Sequence, residues 1–259
     1  MLLVFSSLQL DYFFSPNLNF TALSKDIKNI LTIHDLSFKF FPQFFSAKQK
    51  LWHWAVNPKK KCGQANNILV LSENTKRDLT DYYQIPAEKI KVAPGAISSI
   101  FNNPIVGKEK IREKYNLPGR FILCLGAVEP RKNIIGLIEA FEKCHSLLPN
   151  SYYLVIAGSG KGWKNKQIYA RALASPLRDK IEFIGYVDAQ DKPGLYSLAE
   201  LFVYPSFYEG FGFPVLEAMA MGIPVITSNR SSLPEITDQS AYLINPNRPA
   251  EIADAIIKM

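Results

Sequence analysis

Two basic residues and two glutamates stand where they could bind an anionic ligand that also carries hydroxyl groups. Arg131 and Lys132 follow the apolar run 121–125, and Glu209 and Glu217 flank the sequence Gly-Phe-Gly-Phe-Pro after a second apolar run. Arginine and lysine form charge-assisted hydrogen bonds with phosphate oxygens. A carboxylate accepts hydrogen bonds from sugar hydroxyls. A phosphorylated sugar would use both kinds of group.

The glycines between the two glutamates favour the same kind of ligand. Gly210 and Gly212 carry no β-carbon, so the backbone can approach a ligand closely. Pro214 suits the first position of a helix, and the free N–H groups at a helix start bind phosphate oxygens. Taken alone, each basic residue could instead lie in a solvated loop, and each glutamate could simply offset a helix dipole.

These residues follow strands in a pattern typical of a parallel sheet covered by helices. From about Arg120 onward, short β-branched or aromatic runs alternate with helical periodicity. One helical pattern begins at Ile134, with Asn133 as its predicted N-cap and Pro149 as its stop. The predicted strands are residues 121–125, 152–157, 181–184, 201–204, 223–227 and 241–244, and a last helix is predicted at 250–258.

The first part of the chain shows a shorter alternation of the same kind. Residues 30–33, 68–71 and 90–92 are predicted strands, residues 46–57 a helix, and a further helix follows Ser72. Residues 94–104 are rich in Pro, Gly and Asn, which favours a linker. We therefore predict an α/β protein with two Rossmann-like domains, residues 1–103 and 104–259, whose parallel sheets face a cleft.

One histidine follows a predicted strand directly. Ligands of an open parallel sheet bind beyond the carboxyl ends of its strands, so His34, after strand 30–33, is expected at the cleft. A lone histidine is more often structural, but this position favours a functional role. His53 and His145 fall within helical patterns and are interpreted as surface or packing residues.

Other nucleotide and metal sites are disfavoured by the sequence. In segment 157–163, Gly162 comes too early for a dinucleotide-binding fingerprint, and no Ser or Thr follows Lys161 as a P-loop requires. We interpret this segment as a tight turn, which disfavours a nicotinamide dehydrogenase. No Asp-x-Asp triplet occurs, so we expect no metal and no cofactor. Fixed positive charge must then stabilise a leaving diphosphate.

The composition limits the classes of partner that the protein could bind and the cellular compartment that it fits. The net charge of +7 favours anionic partners, but no nucleic-acid-binding motif accompanies it, so we expect no nucleic acid. Three widely spaced cysteines indicate neither a disulfide framework nor a zinc site, which fits the cytoplasm. No apolar run approaches the roughly 18 residues of a membrane span, so membrane contact would be peripheral. The aromatic and basic segment 48–61 could form a membrane-surface helix, although we favour a packed helix with a solvated charged face.

Four segments resemble motifs of the retaining GT-B glycosyltransferases of family 4. EGFGFPVLEAMAMGIPV, which starts at Glu209, looks like their E-x7-E motif, and GAVEPRKNIIGLIEAF, which starts at Gly126, resembles their phosphate-binding segment. TIHDLSFKFFP is similar to their catalytic-cleft histidine segment, and VLSENTKRDL to an element of their first domain. The resemblance covers nearly the whole chain and implies the GT-B fold.

The resemblance also implies a role for each matching residue. His34 and Glu209 would be the catalytic residues that face the transferred sugar, with Asp35 supporting the turn. Arg131 and Lys132 would hold the donor diphosphate, Glu217 the ribose hydroxyls, and segment 185–187 the base. The implied donor-binding residues are Arg131, Lys132, Gly126, Val187, Gly210, Phe211, Gly212, Phe213 and Glu217.

The implied function is transfer of a hexose from a nucleoside-diphosphate sugar to a glycan or lipid-linked acceptor, with retention, in surface polysaccharide synthesis. The branch that the motifs most resemble suggests mannosyl or rhamnosyl transfer, with GDP-mannose as the expected donor. Such proteins usually have a longer first domain that opens with a glycine-rich strand–loop–helix. We therefore expect an incomplete first domain and a chain that also stops early, at Met259. The alternative is a non-catalytic remnant or nucleotide-sugar-binding module.

Overall fold

Two α/β units make up the protein. The computed structural model describes residues 3–4, 10–23, 26–102, 107–149, 152–160, 162 and 164–259. The chain divides into Met1–Gly95 and Ala96–Met259, and each unit contains a parallel sheet with helices. This confirms the predicted fold class of two Rossmann-like domains.

The first unit contains a four-stranded parallel sheet and a separate parallel pair of short strands. The sheet order is β2-β4-β5-β6, and β1 pairs with β3. The strands are β1 (Leu3–Val4), β2 (Tyr12–Ser15), β3 (Thr21–Ala22), β4 (Lys28–Ile33), β5 (Asn67–Val70) and β6 (Ile90–Val92). The helices are α1 (Ser37–Phe40), α2 (Ala47–Val56), α3 (Pro58–Gln64) and α4 (Glu73–Tyr83), with 3-10 turns at Pro42–Phe44 and Ala87–Lys89.

Local signals explain why two of these helices begin where they do. Ser46 and Gln49 form a reciprocal capping box at the start of α2. The Ser72 hydroxyl accepts a hydrogen bond from the backbone N–H of Thr75 at the start of α4. The core of the unit lies where β4 and β5 bury their apolar residues against Leu79 of α4.

The second unit is a larger doubly wound sheet. Its strands are β7 (Arg120–Leu125), β8 (Tyr152–Ala157), β9 (Ile181–Gly185), β10 (Leu201–Tyr204), β11 (Val225–Ser228) and β12 (Tyr242–Ile244). Its helices are α5 (Lys108–Lys114), α6 (Ile134–Cys144), α7 (Asn165–Leu173), α8 (Lys192–Leu198), α9 (Phe213–Ala220), α10 (Leu233–Thr237) and α11 (Pro249–Lys258). Single 3-10 turns occur at Ser99–Asn102, Pro130–Lys132, His145–Leu147, Arg178–Lys180 and Ala189–Asp191.

The central strand of this sheet is buried on both faces. Ile122 and Cys124 of β7 pack into a cluster with α6 and α11, whereas Phe121, Leu123 and Leu125 pack into a second cluster with α8 and α9. Successive strand residues point to opposite faces, and burial of each large apolar side chain contributes about 1.5–3 kcal/mol. The apolar run of β7 is therefore explained by cover on both sides.

The boundary between the units lies at Gly95, inside the linker expected at residues 94–104 and ahead of the expected boundary at 103/104. Phe101 is buried in the second unit, and Ile97 and Ile100 pack against the same cluster. Residues 97–101 of the expected linker are thus packed chain, because their apolar side chains cover one face of the second sheet.

The start of α6 differs from the prediction in its contacts. Asn133 precedes the helix as predicted, but its φ is 55° and its side chain makes no capping hydrogen bond. Its side-chain amide instead donates to the carbonyl of Pro246 over 2.7 Å. A Cβ on Gly136 would lie 2.5 Å from the Asn133 side-chain oxygen. Gly136 therefore lets this amide lie against the helix.

Candidate active site

The predicted phosphate-binding residues lie at the point where the second sheet reverses its strand order. The order is β12-β11-β10-β7-β8-β9, so the chain winds outward from β7 to β9 and then returns to β10 beside β7. The loops after β7 and β10 leave the sheet in opposite directions, and a crevice opens between them. Arg131 and Lys132 follow β7, and Glu209 follows β10.

The carboxylate of Glu209 is the centre of a buried ionic cluster. Its Oε1 accepts a hydrogen bond from Lys132 Nζ over 2.7 Å, and its Oε2 accepts one from Arg131 Nη1 over 2.8 Å. The hydroxyl of Tyr204 lies 3.1 Å from Oε1, and Ser206 donates a short hydrogen bond to the same oxygen. We call Arg131, Lys132, Tyr204, Ser206 and Glu209 the Glu209 cluster.

The Glu209 carboxylate is ionised over the whole physiological range. Burial alone would raise the pKa of this carboxyl, but the charges of Lys132 and Arg131 outweigh burial and lower the pKa of Glu209 to about 2. Burial also raises the pKa of the Tyr204 phenol well above its usual range. Tyr204 therefore stays a neutral hydroxyl that accepts from Lys132 Nζ over 2.6 Å.

Arg131 connects the Glu209 cluster to more exposed groups. One of its terminal nitrogens donates to the Tyr208 carbonyl and the other to Glu129 Oε1, each over 2.8 Å. Its side chain is more exposed than those of Lys132 and Glu209. Of the two predicted phosphate ligands, Arg131 is thus the one nearer to solvent, and Lys132 is the buried one.

Glu217 belongs to a second polar cluster, at the same edge of the sheet. Its carboxylate oxygens lie 2.9 and 3.2 Å from Lys192 Nζ, and Oε2 accepts from the hydroxyl of Tyr196 over 2.8 Å. Lys192 begins α8, which follows the carboxyl end of β9. We call Glu217, Lys192 and Tyr196 the Glu217 cluster.

The loop between the two glutamates is held tightly at its backbone. The Ser232 hydroxyl lies 2.6 Å from the Phe211 carbonyl oxygen, and the backbone N–H of Glu209 donates to Ser231 Oγ over 2.8 Å. Gly212 has φ 121°, and a Cβ there would lie 2.7 Å from side chains of α10. Phe213, at the start of α9, packs edge to face on Phe211. Gly210 is buried in this loop.

The glycines after β7 and β8 bring two further loops into contact. A Cβ on Gly126 would lie 3.5 Å from the Tyr204 ring, and one on Gly158 would lie 1.8 Å from the carbonyl oxygen of Gly126. A Cβ on Gly162 would lie 2.3 Å from the carbonyl oxygen of Val128. Gly158 and Gly162 therefore pack closely against the loop that leads from β7 to Arg131 and Lys132. Lys161 and Trp163 lie outside the described residues.

The segment predicted to line a nucleotide base is only partly exposed. Gly185 has φ 74° with open space beside it, and Tyr186 is 69% exposed. Val187 is only 4% exposed and packs in the core. The Val187 side chain therefore anchors the loop to the core. Tyr186 is the residue of this segment whose ring is exposed to solvent.

His34 lies in the first unit, directly after β4. Its Nε2 is 3.1 Å from the Pro16 carbonyl oxygen. Asp35 accepts hydrogen bonds from the backbone N–H and the hydroxyl of Ser37, so it supports the turn into α1. His34 and Asp35 line a cavity of about 430 Å³ in this unit. His53, which also lines it, stacks on the Phe38 ring and is a packing residue as predicted.

Comparison with known proteins identifies the family. Residues 107–259 match the family described as Glycosyl transferases group 1, and residues 8–99 match Glycosyltransferase Family 4. The chain belongs to this glycosyltransferase family. The GT-B fold implied by the sequence motifs is therefore confirmed, together with a likeness to its mannosyltransferase members.

The relatives of this glycosyltransferase chain include enzymes of O-antigen synthesis. It is 32% identical over 232 residues to O-antigen chain mannosyltransferase B of Escherichia coli, and the match covers 88% of this chain and 60% of that protein. It is 30% identical over 217 residues to O-antigen chain mannosyltransferase RfbU of Salmonella typhimurium, with coverage of 84% and 56%. The chain thus spans less than two thirds of these relatives.

A solved structure shares the fold of this glycosyltransferase chain. Sucrose-phosphate synthase from Thermosynechococcus elongatus superposes with a TM-score of 0.74 at 25% identity, over 90% of this chain and 58% of that one. Among the residues that the structure describes, no group of three or more His, Cys, Asp or Glu side chains could hold a metal ion. No helix in the described part of the chain is long and apolar enough to cross a membrane.

Sequence reasoning missed the partners that fix the two glutamates. Tyr204 ends a fully buried strand, so its sequence pattern indicates an ordinary core residue. Lys192 and Tyr196 lie in α8, which the sequence did not predict. The one available signal was position, because Ser206 and Lys192 also follow carboxyl ends of strands.

Proposed function

We propose that this family 4 chain transfers a hexose from a nucleoside-diphosphate sugar to a glycan or lipid-linked acceptor, with retention, in surface polysaccharide synthesis. The observation that carries this proposal is the Glu209 cluster at the switch point of the second sheet. The O-antigen mannosyltransferases among the relatives support mannose as the sugar and GDP-mannose as the donor.

The donor diphosphate binds beside Arg131 in this proposal. Arg131 already pairs with the carboxylate of Glu129, which is partly exposed. A phosphate oxygen can replace that carboxylate, because both are anions that accept from the planar guanidinium. Buried Lys132 supplies a second positive charge. The start of α9 adds backbone N–H groups at the same edge of the sheet.

Glu209 acts as a fixed acceptor for hydroxyls of the transferred sugar. With a pKa of about 2 the carboxylate carries no proton at neutral pH, so it is not a general acid. Its ion pairs with Arg131 and Lys132 hold it in one position, which suits the orientation of a sugar. Glu217 accepts from the ribose hydroxyls, and we keep His34 of the first unit as a proposed catalytic residue for the transfer step.

In the transfer step, the bond between the anomeric carbon and the phosphate oxygen breaks. The acceptor oxygen bonds to that carbon on the same face, and the acceptor proton passes to the leaving phosphate. Arg131 and Lys132 stabilise the negative charge that develops on this phosphate. The reaction therefore needs no divalent metal. Turnover should persist in EDTA, and a loss of turnover that magnesium or manganese restores would contradict this assignment.

Ligand binding can be tested without knowledge of the acceptor. A ligand that binds only the folded state raises the melting temperature by mass action. GDP-mannose should raise the melting temperature more than UDP-glucose or dTDP-rhamnose. The Glu209→Gln variant should lose the effect of the sugar while it still responds to GDP. A chain that responds to none of the three nucleotide sugars would refute the proposal.

A second candidate is a nucleotide-sugar-binding module without transfer. It is favoured by the fact that both glutamate clusters lie wholly in the second unit, so donor binding needs no group from the first. Release of GDP from GDP-mannose in the presence of glycan acceptors distinguishes the two functions. Either function is exercised in the cytoplasm, at the inner face of the membrane.

A further inference from the structure

Glu129 pairs with Arg131 at the more exposed side of the Glu209 cluster. Its Oε1 accepts a hydrogen bond from Arg131 Nη2 over 2.8 Å. Within the described part of the chain, this is the hydrogen bond that holds the Glu129 side chain, whereas four side chains surround the Glu209 carboxylate. The side chain of Glu129 is 27% exposed and that of Glu209 is 9% exposed. Glu129 is therefore the carboxylate that a ligand can displace.

The position of Arg131 does not depend on Glu129. Arg131 Nη1 donates to the Tyr208 carbonyl oxygen and to Glu209 Oε2, each over 2.8 Å. These contacts fix the guanidinium on buried groups, and Nη2 is the nitrogen that meets Glu129. An arginine binds a carboxylate and a phosphate with the same planar geometry. A diphosphate that binds at Nη2 therefore takes the place of the Glu129 carboxylate.

Glu129 also balances the charge of the site. Arg131 and Lys132 are two cations, and Glu129 and Glu209 are two carboxylates in direct ion pairs with them. Without the charge of Glu129, one net positive charge would be left, and a positive site attracts an anion. Glu129 thus opposes a diphosphate in two ways, because it occupies Nη2 and because it repels the phosphate.

We propose that Glu129 competes with the diphosphate for Arg131 and thereby weakens binding of the product more than binding of the donor. This inference rests on the proposed function, in which the diphosphate binds at Arg131. A terminal phosphate carries roughly 1.5–2 negative charges at neutral pH, whereas the same phosphate esterified to a sugar carries about one. Repulsion by Glu129 is therefore stronger for the nucleoside diphosphate that transfer leaves behind, and its return to Nη2 favours release of that product.

Calorimetric titration of the Glu129→Gln variant tests the competition. Glutamine keeps the shape of the side chain and removes its charge. The variant should bind GDP about fivefold or more tighter than the unmodified chain, but GDP-mannose only about twofold tighter. In turnover, added GDP should inhibit the variant more strongly than the unmodified chain.

A matched ion pair in the same unit provides the control. Glu142 pairs with Arg171, and the side chains of this pair are exposed to a similar degree. Glu142 lies near the end of α6, away from the helix start that follows Lys132. Glu142→Gln changes the net charge by the same amount as Glu129→Gln, but should leave both affinities unchanged. Circular dichroism checks that each variant is folded.

A double-mutant cycle tests whether Glu129 acts through Arg131. In the Arg131→Ala background, the gain in GDP affinity from Glu129→Gln should be distinctly smaller, because there is no guanidinium left to compete for. A gain as large as in the unmodified background would mean that Glu129 acts by repulsion alone. That result would overturn the competition for Arg131.

Two further results would overturn the proposal. The first is unchanged or weaker binding of GDP by Glu129→Gln, and weaker binding would make Glu129 a residue that orients Arg131. The second is an equal gain for GDP and GDP-mannose, which would remove the discrimination between product and donor. In both cases, binding of GDP-mannose by the unmodified chain leaves the proposed function standing. If the unmodified chain bound neither ligand, the proposed function would fail and this inference with it.

Discussion

The Glu209 cluster and the Glu217 cluster place two buried carboxylates eight residues apart in different electrostatic surroundings. Glu209 pairs with two cations, Arg131 and Lys132, which come from the neighbouring strand's loop. Glu217 pairs with one cation, Lys192, from the start of α8, which follows a more distant strand. Two charges overcome the cost of burial for Glu209 more fully than one charge can for Glu217.

In the proposed function, this difference separates two kinds of binding role. Glu209 is fixed by ion pairs on both oxygens and by two hydroxyls, so a ligand meets a preformed acceptor. Glu217 shares its oxygens with Lys192, whose side chain is about a quarter exposed. Lys192 can therefore withdraw when a ligand hydroxyl arrives, at a smaller cost than either cation of Glu209.

Removal of Lys132 is the largest single perturbation expected. Lys132→Met leaves Glu209 buried with one cation, and loss of one partner of a buried pair costs about 3–5 kcal/mol. The free energy of unfolding, measured with urea, should fall by that amount. Lys143→Met, at an exposed position of α6, should leave it unchanged. A loss no larger than that of Lys192→Met would contradict the comparison.

Acid should destabilise the protein through Glu209. Its folded pKa of about 2 lies below the ordinary 4.5, so the carboxylate contributes stability above pH 4.5. This contribution disappears as the pH falls from 4.5 toward 2, and a shift of this size is worth roughly 3 kcal/mol. Urea unfolding at pH 6 and pH 3 measures the fall. Glu209→Gln should show a distinctly shallower fall, and an equal slope would exclude Glu209 as its source.

The sequence predicted the strands of the second unit well because they are buried apolar runs. Strands 152–157 and 201–204 agree at both ends with the structure, and strand 223–227 begins two residues later, at Val225. Helix α3 was missed, since its sequence Pro-Lys-Lys-Lys-Cys-Gly-Gln buries only Pro58 and Cys62 and shows no apolar period. Helix α8 is short and starts with Lys-Pro-Gly, which reads as a turn.

The sequence predicted the candidate site only through the rule that ligands of a parallel sheet bind beyond the carboxyl ends of its strands. That rule places Arg131, Lys132 and Glu209 at one edge of the sheet, where the structure has them. It says nothing about which oxygen meets which cation. The contacts of Tyr204 and Lys192 depend on strand register and on side-chain direction, which a single sequence does not contain.

Removal of Lys192 should have a smaller effect than removal of Lys132. Lys192→Met leaves Glu217 with the Tyr196 hydroxyl and with access to water at the more exposed side of its cluster. We expect a loss of about 1–2 kcal/mol in the free energy of unfolding. Lys114→Met, which breaks an exposed pair with Asp188 and Asp191, should have a still smaller effect. If Lys192→Met lowered the free energy of unfolding as much as Lys132→Met does, the two clusters would contribute equally to stability, against the comparison.

The affinity of the Arg131→Ala variant for nucleotide sugars tests whether the Glu209 cluster binds the donor phosphate. Arg131 can give paired hydrogen bonds to phosphate oxygens, each worth about 1.5–3 kcal/mol, whereas an exposed lysine contributes at most about 1. The sequence suggests Lys161 as the contrasting basic residue, but Lys161 lies outside the described residues, so exposed Lys166 of α7 is the better control. Titration calorimetry with GDP, GDP-mannose and UDP-glucose should show at least about tenfold weaker binding for Arg131→Ala, and no change for Lys166→Ala. Because loss of Arg131 also removes one cation from Glu209, the titration should be made at a temperature where the variant is folded. Equal affinities of the two variants would remove Arg131 from the phosphate site and leave the Glu209 cluster as a purely structural feature.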